Sequence, residues 1–125
     1  GGMFTADEAG MYLHGNLHPT TPPPNFDLER NLESLDQLAE YDPEFLLYTH
    51  YGRRDDAVEA LRGYDRLLRA WVDEVERVRR REENDEDVVK EFVGRDHVYY
   101  DIWDETSARE TIRMDVEGVL LYLDG

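Results

Sequence analysis

Two residues of this chain stand where side chains commonly do chemistry. Asp7 follows the short apolar run Met3-Phe4-Thr5-Ala6, and His50 follows the run Glu44-Phe45-Leu46-Leu47-Tyr48-Thr49. If the two runs are parallel strands, a carboxylate and an imidazole emerge at one sheet edge, where open α/β sheets hold their ligands. A carboxylate and a neutral imidazole converging there suit zinc or iron. The competing reading makes Asp7 a turn residue and His50 a hydrogen-bonded loop histidine. His14 and His18 flank a loop near the same edge, where a substrate contact competes with an ordinary polar loop. His97 reads as structural or exposed. Tyr99, Tyr100 and Trp103 either line a substrate pocket or plug a helical core, and core packing is the reading adopted. The chain has no cysteine, which excludes disulfides, thiolate metal sites and cysteine nucleophiles.

The elements that must position these groups follow from periodicity. Residues 14 to 26 read as a loop, because Pro22 to Pro24 fix a polyproline turn and forbid helix. Asp27 is a good N-cap, and Leu28, Leu32, Leu35 and Leu38 repeat at helical spacing up to Asp42-Pro43. The run 44–49 is apolar on both faces, so it reads as a covered strand with at most one neighbour in this chain. From Asp56 to about Glu83 a long helix carries Ala57, Leu61, Tyr64, Leu68, Trp71, Val75 and Val78 as a heptad seam. A turn is expected over 79–85. A short helix then places Val88, Val89, Phe92 and Val93 inward, with Gly94 as its C-cap. Residues 95 to 103 read as irregular. Asp104 or Thr106 caps a last helix with Ala108, Ile112, Val116, Val119, Leu120 and Leu123 apolar, and Gly118 predicts a kink in it.

Charge limits the partners. The 125 residues carry 14 basic and 30 acidic side chains, a net charge of −16. That predicts no nucleic-acid partner, since no basic face is present to displace counterions, and no anionic membrane surface. Arg77 to Arg81 is a helix end with acidic neighbours. Lys90 is the sole lysine, and the remaining cations are arginines. Abundant carboxylates with arginine in place of lysine are the composition of halophilic proteins, whose self-repulsion molar salt screens; the competing reading is an ordinary acidic protein from a high-GC genome. No apolar run is long enough to span a bilayer and no signal peptide opens the chain, so a cytoplasmic location is expected.

Four pieces in order then carry a resemblance: Phe4-Thr5-Ala6-Asp7-Glu8-Ala9-Gly10, Thr21-Pro22-Pro23-Pro24, Ser34-Leu35-Asp36-Gln37-Leu38, and Leu46-Leu47-Tyr48-Thr49-His50-Tyr51-Gly52. Together they resemble the C-terminal part of a metallo-β-lactamase-fold metallohydrolase. In that family a strand ends in a Gly-Asp-x-Ala-Gly-like motif, and a later strand ends in a final histidine ligand. Ala6 stands in place of the glycine, and Tyr51 separates the histidine from Gly52. The family's His-x-His-x-Asp-His signature is absent from these residues.

The resemblance implies a dizinc hydrolase that attacks an ester, thioester, lactam, lactone or phosphoester through a hydroxide shared by two metal ions. Asp7 would bridge the metals and His50 would hold one of them. It implies that residues 1–54 are the C-terminal part of the α/β domain, that residues 55–125 are a helical extension, and that further ligands lie upstream. The expected fold is mainly α with a short β part: a βαβ remnant of an αββα sandwich, then a helical bundle. The chain alone is expected to be catalytically silent and to form a homodimer, through the seam or the strand 45–49, where its missing N-terminal half would pack. The alternative is a helical interaction module with no catalytic role, in which Asp7 and His50 are incidental.

Overall fold

The computed structural model describes residues 2–5, 11–13, 16–24, 26–48 and 52–125. In chain order its elements are β1 (Gly2–Thr5), β2 (Met11–Leu13), β3 (Asn16–His18), α1 (Leu28–Glu40), β4 (Phe45–Tyr48), β5 (Gly52–Arg54), α2 (Ala57–Arg81), α3 (Asp85–Val93), the single turn α4 (Tyr99–Ile102) and α5 (Glu105–Asp124). The protein is mainly helical.

Short polar side chains set the helix starts. Asp27 Oδ1 accepts from the Arg30 N–H at 3.1 Å and caps α1. Asn84 caps α3 through the Asp87 N–H at 3.0 Å. Asp104 caps α5 through the Ser107 N–H at 2.9 Å, which settles the choice between Asp104 and Thr106. Helix α1 closes when the Asp42 N–H donates to the Ala39 carbonyl at 3.0 Å. Asp42 is left-handed there, with φ 49°, a conformation aspartate tolerates better than most residues, and Pro43 prevents continuation.

Strands β1 and β4 pair in parallel, Gly2 opposite Phe45 through to Thr5 opposite Tyr48. β4 also pairs antiparallel with β5, Leu46 opposite Arg54 through to Tyr48 opposite Gly52, so the order is β1-β4-β5. This corrects the expectation that the strand after Glu44 has at most one neighbour: both its edges are bonded within the chain. The loop expected over 14–26 is also too long. Asn16–His18 is a strand, joined antiparallel to Met11–Leu13 with Met11 opposite His18.

The inner face of α2 departs from a heptad seam. Ala57, Ala60, Leu61, Tyr64, Leu68, Val72, Val75 and Val78 are buried, and Trp71 is half-buried. Between Tyr64 and Val78 the inward positions step by four, four, three and three residues. That is the broad stripe of a 3.6-residue period, not a narrow coiled-coil line. Val72 takes the inward position because the large indole is seldom enclosed completely. In α1 the inward pair is Leu35 and Ala39, with Leu28, Leu32 and Leu38 at its flanks. Val93 and Leu123, expected to point inward, are half-buried.

The chain forms two compact units. The first holds residues 1–20 and 27–71, and the second holds 21–26 and 72–125. In the first, the Tyr64 hydroxyl accepts from the Thr20 N–H at 3.0 Å, and Arg62 pairs with Asp36 at 2.9 Å. In the second, α3 and α4 pack on α5, and Val75, Val78, Val88, Val116 and Val119 are wholly enclosed. Among the described residues no helix is long and apolar enough to cross a membrane.

Candidate functional site

The sheet edge is the first place to look. Both Thr5 and Tyr48 end their strands and are register partners, so β1 and β4 terminate level with each other. Asp7 and His50, the expected metal ligands, lie outside the described residues, as does His14. His18 closes β3 opposite Met11. Among the described residues no group of three or more histidines or carboxylates is placed to hold a metal ion. Two donors fall short of the roughly four that complete a zinc sphere, so these residues alone do not fit a closed zinc site.

The aromatic residues near 97–103 form a packed structural cluster. Tyr99 is 1% exposed, in agreement with the core reading. Its ring stacks on Trp103, with centroids 4.8 Å apart, and lies 3.9 Å from the His97 ring. His97 Nδ1 accepts from the Tyr99 N–H at 3.0 Å, which places the proton of the neutral ring on Nε2. The Tyr100 hydroxyl donates to the Val93 carbonyl at 2.5 Å. These bonds hold the turn α4, which explains why 99–102 is helical where an irregular stretch was expected. Asp96, His97, Val98, Tyr100 and Asp101 line a surface depression of about 500 Å³.

A third site was not anticipated at all. Thr21 and Asp115 are the two buried polar side chains among the described residues, and they bind each other. The Thr21 N–H donates to Asp115 Oδ1 at 3.0 Å, and the Thr21 hydroxyl donates to the Asp115 carbonyl at 2.5 Å. One turn on, Gly118 lies against the same segment. A Cβ there would overlap the Thr21 carbonyl oxygen and lie 2.7 Å from its carbon. Phe26 completes the contact, its ring edge-on to Tyr122 at 5.5 Å. Gly118 therefore serves close backbone approach, within a helix that spans Glu105 to Asp124. The sequence holds one signal for this, a charged residue inside an otherwise apolar helical face, with a glycine three residues later.

Charge elsewhere is organised by arginine. Arg77 donates to both carboxylate oxygens of Glu74, at 2.6 and 2.9 Å, and Arg95 adds a bond at 3.1 Å. The Arg77 bonds, aided by Arg95 and opposed by desolvation, pull the Glu74 carboxyl down to about 2. Arg113 reaches Glu86 at 3.0 Å and Glu117 at 3.5 Å, and its bonds hold Glu86 below the usual carboxylate range. Arg79 bridges Asp124 and Asp85, and the bond to Asp124 raises its own proton affinity. These pairs fit the reading of 77–81 as a helix end compensated by acidic neighbours.

No protein-family model, curated protein or solved structure matches the chain.

Proposed function

We propose that this chain is the C-terminal portion of a metal-dependent hydrolase with a metallo-β-lactamase fold, in which Asp7 and His50 are ligands of a zinc pair completed by upstream residues. The observation that supports the reading most is the level, parallel ending of β1 and β4, with Thr5 opposite Tyr48. Each strand is followed, two residues later, by one of the two candidate ligands. The four sequence pieces that carry the resemblance add to it. The division at residues 54 and 55 and the identification of the short sheet as part of an αββα sandwich belong to the same proposal. Bound zinc supplies Lewis acidity and a water-derived nucleophile near neutral pH. In this proposal the chain contributes one carboxylate, Asp7, and one imidazole, His50. The carboxylate-rich, lysine-poor composition supports operation at high salt.

The test is metal analysis and ester or thioester hydrolysis by the chain extended at its N-terminus to include a His-x-His-x-Asp-His segment. Bound zinc and activity are expected in the extended protein, with both lost in Asp7→Asn and His50→Ala. Full activity in both variants would remove the assignment. A second reading, a non-catalytic interaction module, is favoured by an open cleft between α3 and α5.

A further inference from the structure

The outer side of α5 carries two exposed apolar side chains. Met114 and Leu121 are 46% and 51% exposed, and they lie two turns apart on one face. Beside Leu121, α3 and α5 enclose a cleft of about 300 Å³. Its floor is Leu121 with the edges of Val89 and Leu120, and its rim is Asp85, Glu86, Glu117 and Asp124. Arg79 pairs with Asp85 and Asp124, and Arg113 pairs with Glu86 and Glu117. Two guanidiniums thus face four carboxylates, Lys90 also acts on Glu86, and the rim stays negative.

We propose that this face of α5 docks a basic amphipathic segment of a partner protein. Its apolar side chains would rest on Met114 and Leu121 while its arginines or lysines follow the carboxylate rim. The charge of the rim selects this occupant. At low salt a second copy of the chain brings another −16 and an identical acidic rim, so self-association there sets like charges together. An aliphatic stem bearing a cation matches both floor and rim, as in helix-in-groove recognition. The inference does not depend on the metal site.

The experiment is fluorescence anisotropy at 0.1 M salt with a labelled amphipathic Arg/Leu helical peptide. A scrambled peptide of identical composition and an acidic analogue serve as controls. The amphipathic peptide is expected to bind on the order of tenfold tighter than the scramble, a difference of about 1.4 kcal/mol. Leu121→Asp should abolish that margin, and Met114→Glu should narrow it. Both positions are exposed, and circular dichroism would check that the variants fold. Equal binding of amphipathic and scrambled peptides would overturn the proposal, because charge alone would then explain it. An unchanged margin in both variants would overturn it as well. So would a concentration-dependent dimer, seen by light scattering, that Leu121→Asp dissolves, since the occupant would then be a second copy.

Discussion

Helix α5 uses polar groups in two ways on its two sides. On the inner side Asp115 is 6% exposed and takes hydrogen bonds from a segment far away in sequence. On the outer side Arg113 holds Glu86 and Glu117 in water. Both sides contain charge-assisted bonds of about 3 Å. Their consequences differ because their alternatives differ. If Arg113 loses its partners, water replaces them, and exposed pairs of this kind are worth little. If the Thr21 N–H loses Asp115, water has poor access and the desolvation of the donor is left uncompensated. Position, not bond length, decides which contact the fold depends on.

The sharpest way to break this contrast is Gly118→Ala. The added methyl meets backbone, which cannot swing aside as a side chain would. A loss at the upper end of the overpacking range, about 3 kcal/mol, is expected in urea unfolding. An unchanged midpoint would mean that residues 21–22 do not lie on the helix. Asp115→Ala comes next, with an expected loss of about 1–3 kcal/mol from the unsatisfied donor. Asp115→Asn, which keeps an acceptor oxygen, should lose less. If Arg113→Gln destabilises as much as Asp115→Ala, the distinction between the two sides fails.

The smallest expected effect concerns Glu74, a partly exposed carboxylate of the solvated network. Its folded-state value lies below its ordinary 4.5, so its contribution is present above pH 4.5 and is lost as the pH falls toward about 2. A carboxyl-detected NMR titration should place its midpoint near 2, and Arg77→Gln should move it up. A midpoint between 4 and 5 in the unmodified protein would show that the Arg77 fork does not persist in solution.

These contrasts also mark what could be read before the fold was known. The caps at Asp27 and Asp104 and the inward residues Leu35, Tyr64, Leu68 and Ile112 were legible, because each depends on neighbours within one or two helical turns. β5 was not, since Gly52-Arg53-Arg54 lacks apolar alternation and becomes a strand only by pairing with β4. The hairpin partner Asn16–His18 was hidden in a stretch dominated by turn formers. Asn84 lay inside a charged run that masked its capping role. Gly118 was seen as a weak point because local rules cannot tell which distant backbone will arrive there. Of the candidate site, the level ending of its two strands is described, while Asp7 and His50 lie outside the described residues.

The placement of Thr21–Phe26 in the same compact unit as α5 has a consequence for how the chain is made. Thr21 and Asp115 are 94 positions apart. A ribosome adding about 5–20 residues per second delivers the acceptor about 5–20 s after the donor. Through that interval the proline segment lacks the α5 backbone on which Thr21 and Pro22 lie. A helix made about 94 residues later is therefore the one that secures this loop.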